Sequence, residues 1–226
     1  MANNNIRMKI EFPGFKNFNK VLKEYSAWSK KQPAEIVNSK LFYIARNATN
    51  TTKKADPGKI RNELESNAKN YDAPLAAILV NRDLGRQNKK GLYGEKMVKA
   101  VEKRIKSAVS HINFLRSGWL PAIRKLDIAV KQGDISFSRR YAPKQATGIK
   151  QIGKPKGDAI WAKNTSFRCW GEIQNWIGQG KQASSTVTQI LTEGLKQAVI
   201  QEMNSMIVYI QRKYDAQHNK LFKRNF

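Results

Sequence analysis

The segment INFLRSGWLPAIRKL, Ile112–Leu126, decides how the chain folds. It sets a glycine, the bulkiest side chain and a proline between two runs whose apolar residues recur at helical spacing. Gly118 permits close approach of two backbones, Trp119 fills the space at the join, and Pro121 suits the first turn of a new helix. Phe114, Gly118, Trp119 and Pro121 are therefore expected to form a helix–helix corner. Such a corner needs no ligand. Burial of an aromatic of this size contributes about 1.5–3 kcal/mol or more, so packing, not stacking on a nucleobase, is the expected role of Trp119.

Working outward, Met97, Val101, Ile105, Ala108, Val109, Ile112 and Leu115 mark one face of the helix before the corner, with Lys96, Lys99, Lys103, Arg104 and Lys106 mainly on the others. Ile123 and Leu126 lie on the helix after it. Further upstream, Pro33 opens a helix bearing Ile36, Val37, Leu41, Ile44, Ala45 and Ala48, and Asp56-Pro57 caps another. The run PLAAILVNRDLG supplies one more. A helix carrying Phe15, Phe18, Leu22, Tyr25 and Trp28 follows an alternating strand over Ile6–Phe12.

Downstream, Gly133 to Lys163 is expected to be a long loop, a feature that tends to be functional or disordered. AIWA near its end and SFRCWGEIQNWI, bent at Gly171, read as strands that join the amino-terminal one in a small sheet. Thr186 and Gln189 form a capping box before a rod in which Ile190, Leu191, Leu195, Ala198, Met203, Ile207, Ile210 and Tyr214 recur at helical spacing. Thirty such residues span roughly 45 Å, the diameter of a whole domain of this size. Part of the rod is thus expected to pack on another subunit, with Leu195, Met203, Ile207, Ile210 and Tyr214 as assembly residues. The fold class is α+β: mainly helical, with a small antiparallel sheet and a long C-terminal helix. The regions are a strand-plus-helix scaffold over 1–132, a basic loop and strands of the same domain over 133–182, and a terminal arm over 183–226.

Charge sets the partners. Forty-two Lys plus Arg against seventeen Asp plus Glu give +25, which attracts polyanions, acidic protein surfaces or anionic lipid. The basic residues run from Arg7 to Arg224, so many can equally be solvated faces. Arg139, Arg140, Lys144, Lys150, Lys154 and Lys156 concentrate in the long loop and are expected to meet a polyanion or an acidic partner. One cysteine, Cys169, excludes an intramolecular disulfide and a Cys-based zinc cluster. The longest apolar run, Ala73–Val80, is far short of the ~20 residues of a membrane span. MANNNIRMKIEF lacks a secretory h-region. The expectation is a protein made in the cytoplasm, with no membrane partner, that stays there until it is assembled.

No chemistry is expected. His111 and His218 belong to no metal-binding spacing, and neither a phosphate loop nor a serine-hydrolase elbow is present. His111 should lie, partly buried, beside the apolar stripe of its helix. A nuclease would use Asp158 with Glu172 to hold Mg²⁺, but Gln174 stands where a lysine usually accompanies such a pair. No cofactor or metal is expected, and the chain reads as non-enzymatic.

The order VNSKLFYIARNATNTTKKAD, LAAILVNRDLG, SHINFLRSGWLPAIRKL and LKQAVIQEMNSMIVYIQRKY resembles the neck and tail-completion proteins of tailed bacteriophages, in the minor tail protein Z-like group. The Phe114-Leu115 and Gly118-Trp119-Leu120-Pro121 corner carries most of that likeness. The resemblance implies a structural virion protein that forms or joins a ring of its own copies at the head–tail junction, between a portal-bound connector and tail-tube or terminator subunits. No catalytic residues carry over. A DNA-binding virion or packaging accessory protein, touching packaged DNA, is the alternative.

Overall fold

The computed structural model describes residues 15–69, 71–137, 148–154, 156–163, 170–177 and 185–222. In order these form α1 (Phe15–Ser29), α2 (Pro33–Thr51), α3 (Pro57–Glu65), α4 (Leu75–Arg86), α5 (Gly94–Ser110), α6 (Phe114–Ser117), α7 (Leu120–Gln132), β1 (Gly157–Ile160), β2 (Glu172–Asn175) and α8 (Ser185–Phe222). The fold is mainly helical with a two-stranded antiparallel sheet and a long C-terminal helix, as the sequence leads one to expect. The strand expected over Ile6–Phe12 lies outside the described residues. The described residues form two compact units, one of those up to 53 with those from 115 onward and one of those from 54 to 114.

In the larger unit, α2 lies between α7 and α8. Its Phe42 and Ala45 join Leu120, Ile123, Leu126 and Ala129 of α7, with Ile135, Phe137 and Ala159, in one core cluster. Ile44 and Ala48 join Trp119 with Leu191 and Ala198 of α8 in a second. Because α2 is covered on most of its circumference, even Asn38, Lys40 and Thr49 are buried. Pro33 starts this helix as expected and Glu35 sits in its first turn, where a negative charge suits the helix dipole.

The sheet pairs Gly157 with Asn175, Asp158 with Gln174, Ala159 with Ile173 and Ile160 with Glu172. Ala159 points into the core while Asp158 and Ile160 point away from it. Only Ala159-Ile160 of the expected AIWA strand belongs to β1. Ala162 leaves the ladder because Asn38 takes its backbone: Asn38 Nδ2 donates to Ala162 O at 3.1 Å and Ala162 N donates to Asn38 Oδ1 at 2.6 Å.

The smaller unit holds α3, α4 and α5 around Leu64, Ala76 and Ile105, with Ile60, Leu75, Leu79, Val101, Ala108 and Val109 packed on them. Asp56 caps α3 by accepting from Gly58 N at 2.8 Å and Lys59 N at 3.3 Å, ahead of Pro57 at the first helical position. The stripe read through to Leu115 is interrupted: α5 stops at Ser110, His111 N donates to Ala108 O, and a turn over 111–113 follows. Leu115 packs instead against the Trp119 cluster of the larger unit.

The corner is built as its residues dictate. Pro121 lies in the first turn of α7, Trp119 is fully buried, and Trp119 Nε1 donates to Thr52 Oγ1 at 3.0 Å. Asn175 Nδ2 donates to Leu115 O at 2.9 Å, and a Cβ on Gly118 would overlap that same amide. Gly118→Ala should therefore destabilise the protein by about 1–3 kcal/mol in urea unfolding. Gly85→Ala, in α4 where an added Cβ meets nothing, should instead stabilise it by about 0.4–1 kcal/mol.

Candidate functional site

The surface that distinguishes this chain is the outer side of α8, and its position is fixed by how the inner side is held. A 38-residue helix at 1.5 Å per residue is about 57 Å long. Thr186 lies within the helix, which already includes Ser185, and does not cap it. Near the start, Gly194 lets the α2 terminus approach; a Cβ there would meet Thr52 Oγ1 at 2.6 Å. Thr51 Oγ1 donates to Gly194 O, also at 2.6 Å. Arg116 closes the same region by donating from Nε to Thr52 O at 2.6 Å and from Nη2 to Asn50 O at 2.8 Å, a cation placed on the C-terminal carbonyls of α2.

Farther along, Lys40 Nζ of α2 and Glu202 Oε1 of α8 form a buried ion pair at 2.7 Å. Lys40 Nζ also lies 4.4 Å from the centroid of the Tyr25 ring, which packs 4.9 Å from Tyr209. Burial holds the Tyr25 phenol above its ordinary value, with Lys31 pulling the other way. The hydrogen bond from Lys31 to Glu35 raises the lysine. Both shifts act alike: the folded chain keeps these protons after the unfolded chain begins to lose them, so their stabilisation is complete below about pH 10 and is lost above it.

The inner line of α8 runs Leu191, Leu195, Ala198, Glu202, Met206, Tyr209. It is one residue out of phase with the apolar reading beyond Ala198, because Glu202 is buried against Lys40 where Met203 was expected. Ile200, Met203, Ile207, Ile210 and Tyr214, spaced 3-4-3-4, lie about a third of a turn away. Ile200 and Ile207 are each 43% exposed and Tyr214 is 57% exposed, and Met203 and Ile210 are half-buried. Of the five expected assembly residues, Leu195 faces inward and the other four fall on this second line. Its spacing is that of a coiled-coil seam.

The other expected sites disperse. Lys150 and Lys154 are exposed, while Lys156 is half-buried and its carbonyl accepts from Trp176 N at 2.5 Å. Arg139, Arg140, Lys144 and Cys169 lie outside the described residues. Asp158 Oδ1 accepts from Lys125 Nζ at 2.6 Å, and Glu172 Oε1 accepts from the Gln174 amide at 2.5 Å. Both nuclease candidates thus have a neighbour of their own, and among the described residues no three His, Cys, Asp or Glu are grouped to hold a metal ion. His111 is exposed rather than partly buried, and its Nδ1 lies 2.5 Å from Ser107 O. No described helix is long and apolar enough to cross a membrane. No family model, curated protein or solved structure matches the chain.

Removing one partner of the buried pair leaves the other charge stranded. Glu202→Ala should cost about 3–5 kcal/mol in chemical unfolding, and Lys40→Met combined with Glu202→Leu should recover most of it. Raising the pH from about 9.5 to 11 should lower the melting temperature, and Tyr25→Phe should make that fall shallower.

Proposed function

We propose that this chain is a structural virion protein of a tailed phage that forms or joins a ring at the head–tail junction, its subunits meeting through the outer line of α8. The observation that carries the assembly role is the second apolar stripe, above all the exposed Ile200 and Ile207, on a helix already anchored by its inner side. Such a stripe on a monomer would expose side chains that ordinary surfaces replace with polar ones. The phage placement rests on the likeness of the corner and of the segments around it to neck and tail-completion proteins. In this reading the corner anchors the start of α8, and the partners are neighbouring copies, a portal-bound connector, and tail-tube or terminator subunits.

The runner-up is a DNA-binding virion or packaging accessory protein. It is favoured by the charge of +25 and by the exposed Lys150 and Lys154. Electron microscopy of virions carrying a tag on this chain separates the two. Density confined to the head–tail junction is the expected result. A tag spread through the capsid interior, or absent from particles, would overturn the ring assignment.

A further inference from the structure

The smaller unit carries a second surface that neither the corner nor α8 explains. Lys96, Lys99, Lys103 and Lys106 of α5 are all exposed and fall within an arc of about 80° on the side opposite Val101, Ile105 and Ala108. They span about 15 Å along the axis. None of the four is ion-paired among the described residues, although the arginines nearby are: Arg104 lies 2.5 Å and Arg86 lies 3.9 Å from Asp83, and Arg61 lies 3.3 Å from Glu65. Lys89 and Lys90 are also exposed in the loop before α5, and Asn81 Oδ1 ties that loop to α4 by accepting from Leu92 N at 3.2 Å.

Helix stability does not account for this placement. Lys96–Lys99, Lys99–Lys103 and Lys103–Lys106 are like-charge neighbours three or four residues apart, each unfavourable by about 0.2–0.5 kcal/mol. Lys96 stands near the N-terminus, where the helix dipole disfavours a cation, and the last turn, where a cation would help, holds none. Glu95 and Glu102 are four residues before Lys99 and Lys106 and soften the repulsion, leaving Lys96 and Lys103 without such a neighbour.

We infer that this face of α5 binds the phosphate backbone of duplex nucleic acid without reading its sequence. A line of lysines on a helix can follow a line of phosphates, and the duplex carries one charge per about 1.7 Å of its axis. Lysines offer point charges on adaptable stems, and no Asn, Gln or Arg on this stripe is placed to read base edges. Each lysine that neutralises a phosphate releases a counterion, so binding must weaken steeply with salt.

Fluorescence anisotropy of a labelled random-sequence duplex with the full chain tests this across about 50–300 mM NaCl. Changing all four lysines (Lys96→Gln, Lys99→Gln, Lys103→Gln, Lys106→Gln) should flatten the log K against log salt slope by about 2–4 and weaken binding at least about tenfold at the lowest salt. The melting temperature of this variant should equal or exceed that of the wild type, which separates lost binding from lost folding. A Lys150→Gln/Lys154→Gln variant should keep that part of the slope. The inference is overturned if the wild type binds no duplex at low salt, if the four-lysine variant binds as the wild type does, or if the Lys150/Lys154 variant alone abolishes binding. Tighter binding of polyglutamate than of the duplex at equal charge, lost in the four-lysine variant, would also overturn it, pointing to an acidic protein partner.

Discussion

The hydrogen bond from the Trp119 indole to the Thr52 hydroxyl holds the larger unit in its arrangement. Thr52 Oγ1 in turn donates to Ala48 O at 2.6 Å, so the bond ties the corner to the last turn of α2. Three elements meet there: α2, the Trp119 corner and the start of α8, which Gly194 lets in against Thr52. A buried indole N–H without a partner costs roughly 1–3 kcal/mol, so the ring fits in one orientation. That orientation fixes where α7 departs and where α8 begins.

Given that start, the buried polar groups fix the phase of α8. Lys40 and Glu202 can be buried only while they face each other, and a one-residue rotation of α8 would separate them. Asn38 does the same for the segment after β1 by satisfying both backbone groups of Ala162. These contacts add specificity to a core whose bulk stabilisation comes from Phe42, Ile123, Leu126 and Trp119. With Glu202 turned inward, Ile200 and Ile207 are left exposed, while Met203 and Ile210 stay half-buried.

Much of this was legible in the sequence, for identifiable reasons. Pro33, Asp56-Pro57 and Pro121 mark helix starts through local chemistry that tertiary contacts rarely override. The small antiparallel sheet and the terminal rod followed from period and length. The phase of α8 was not legible, because Glu202 and Lys40 are charged residues that any pattern places at the surface, and only their pairing across 162 positions shows otherwise. The end of α5 is not legible because Ile112, in a turn, and Leu115, in the core of the larger unit, continue its period. The burial of Phe42 and Asn38 is not legible because a helix covered on most sides has no single face to recognise. The four lysines of α5 are legible as outward residues; that none of them forms an ion pair among the described residues required coordinates.

The central proposal is that the outer line of α8, a helix whose inner line packs within the chain, meets a second copy of the chain. Sedimentation velocity of the purified chain over a wide range of concentration tests it most directly, with Ile207→Glu as the comparison. The account predicts that the wild type moves from the 25.8 kDa monomer to larger species as concentration rises, while the variant, equally folded by circular dichroism, stays monomeric. A wild type that sediments as a single monomeric species throughout, or a variant that assembles just as readily, would contradict it.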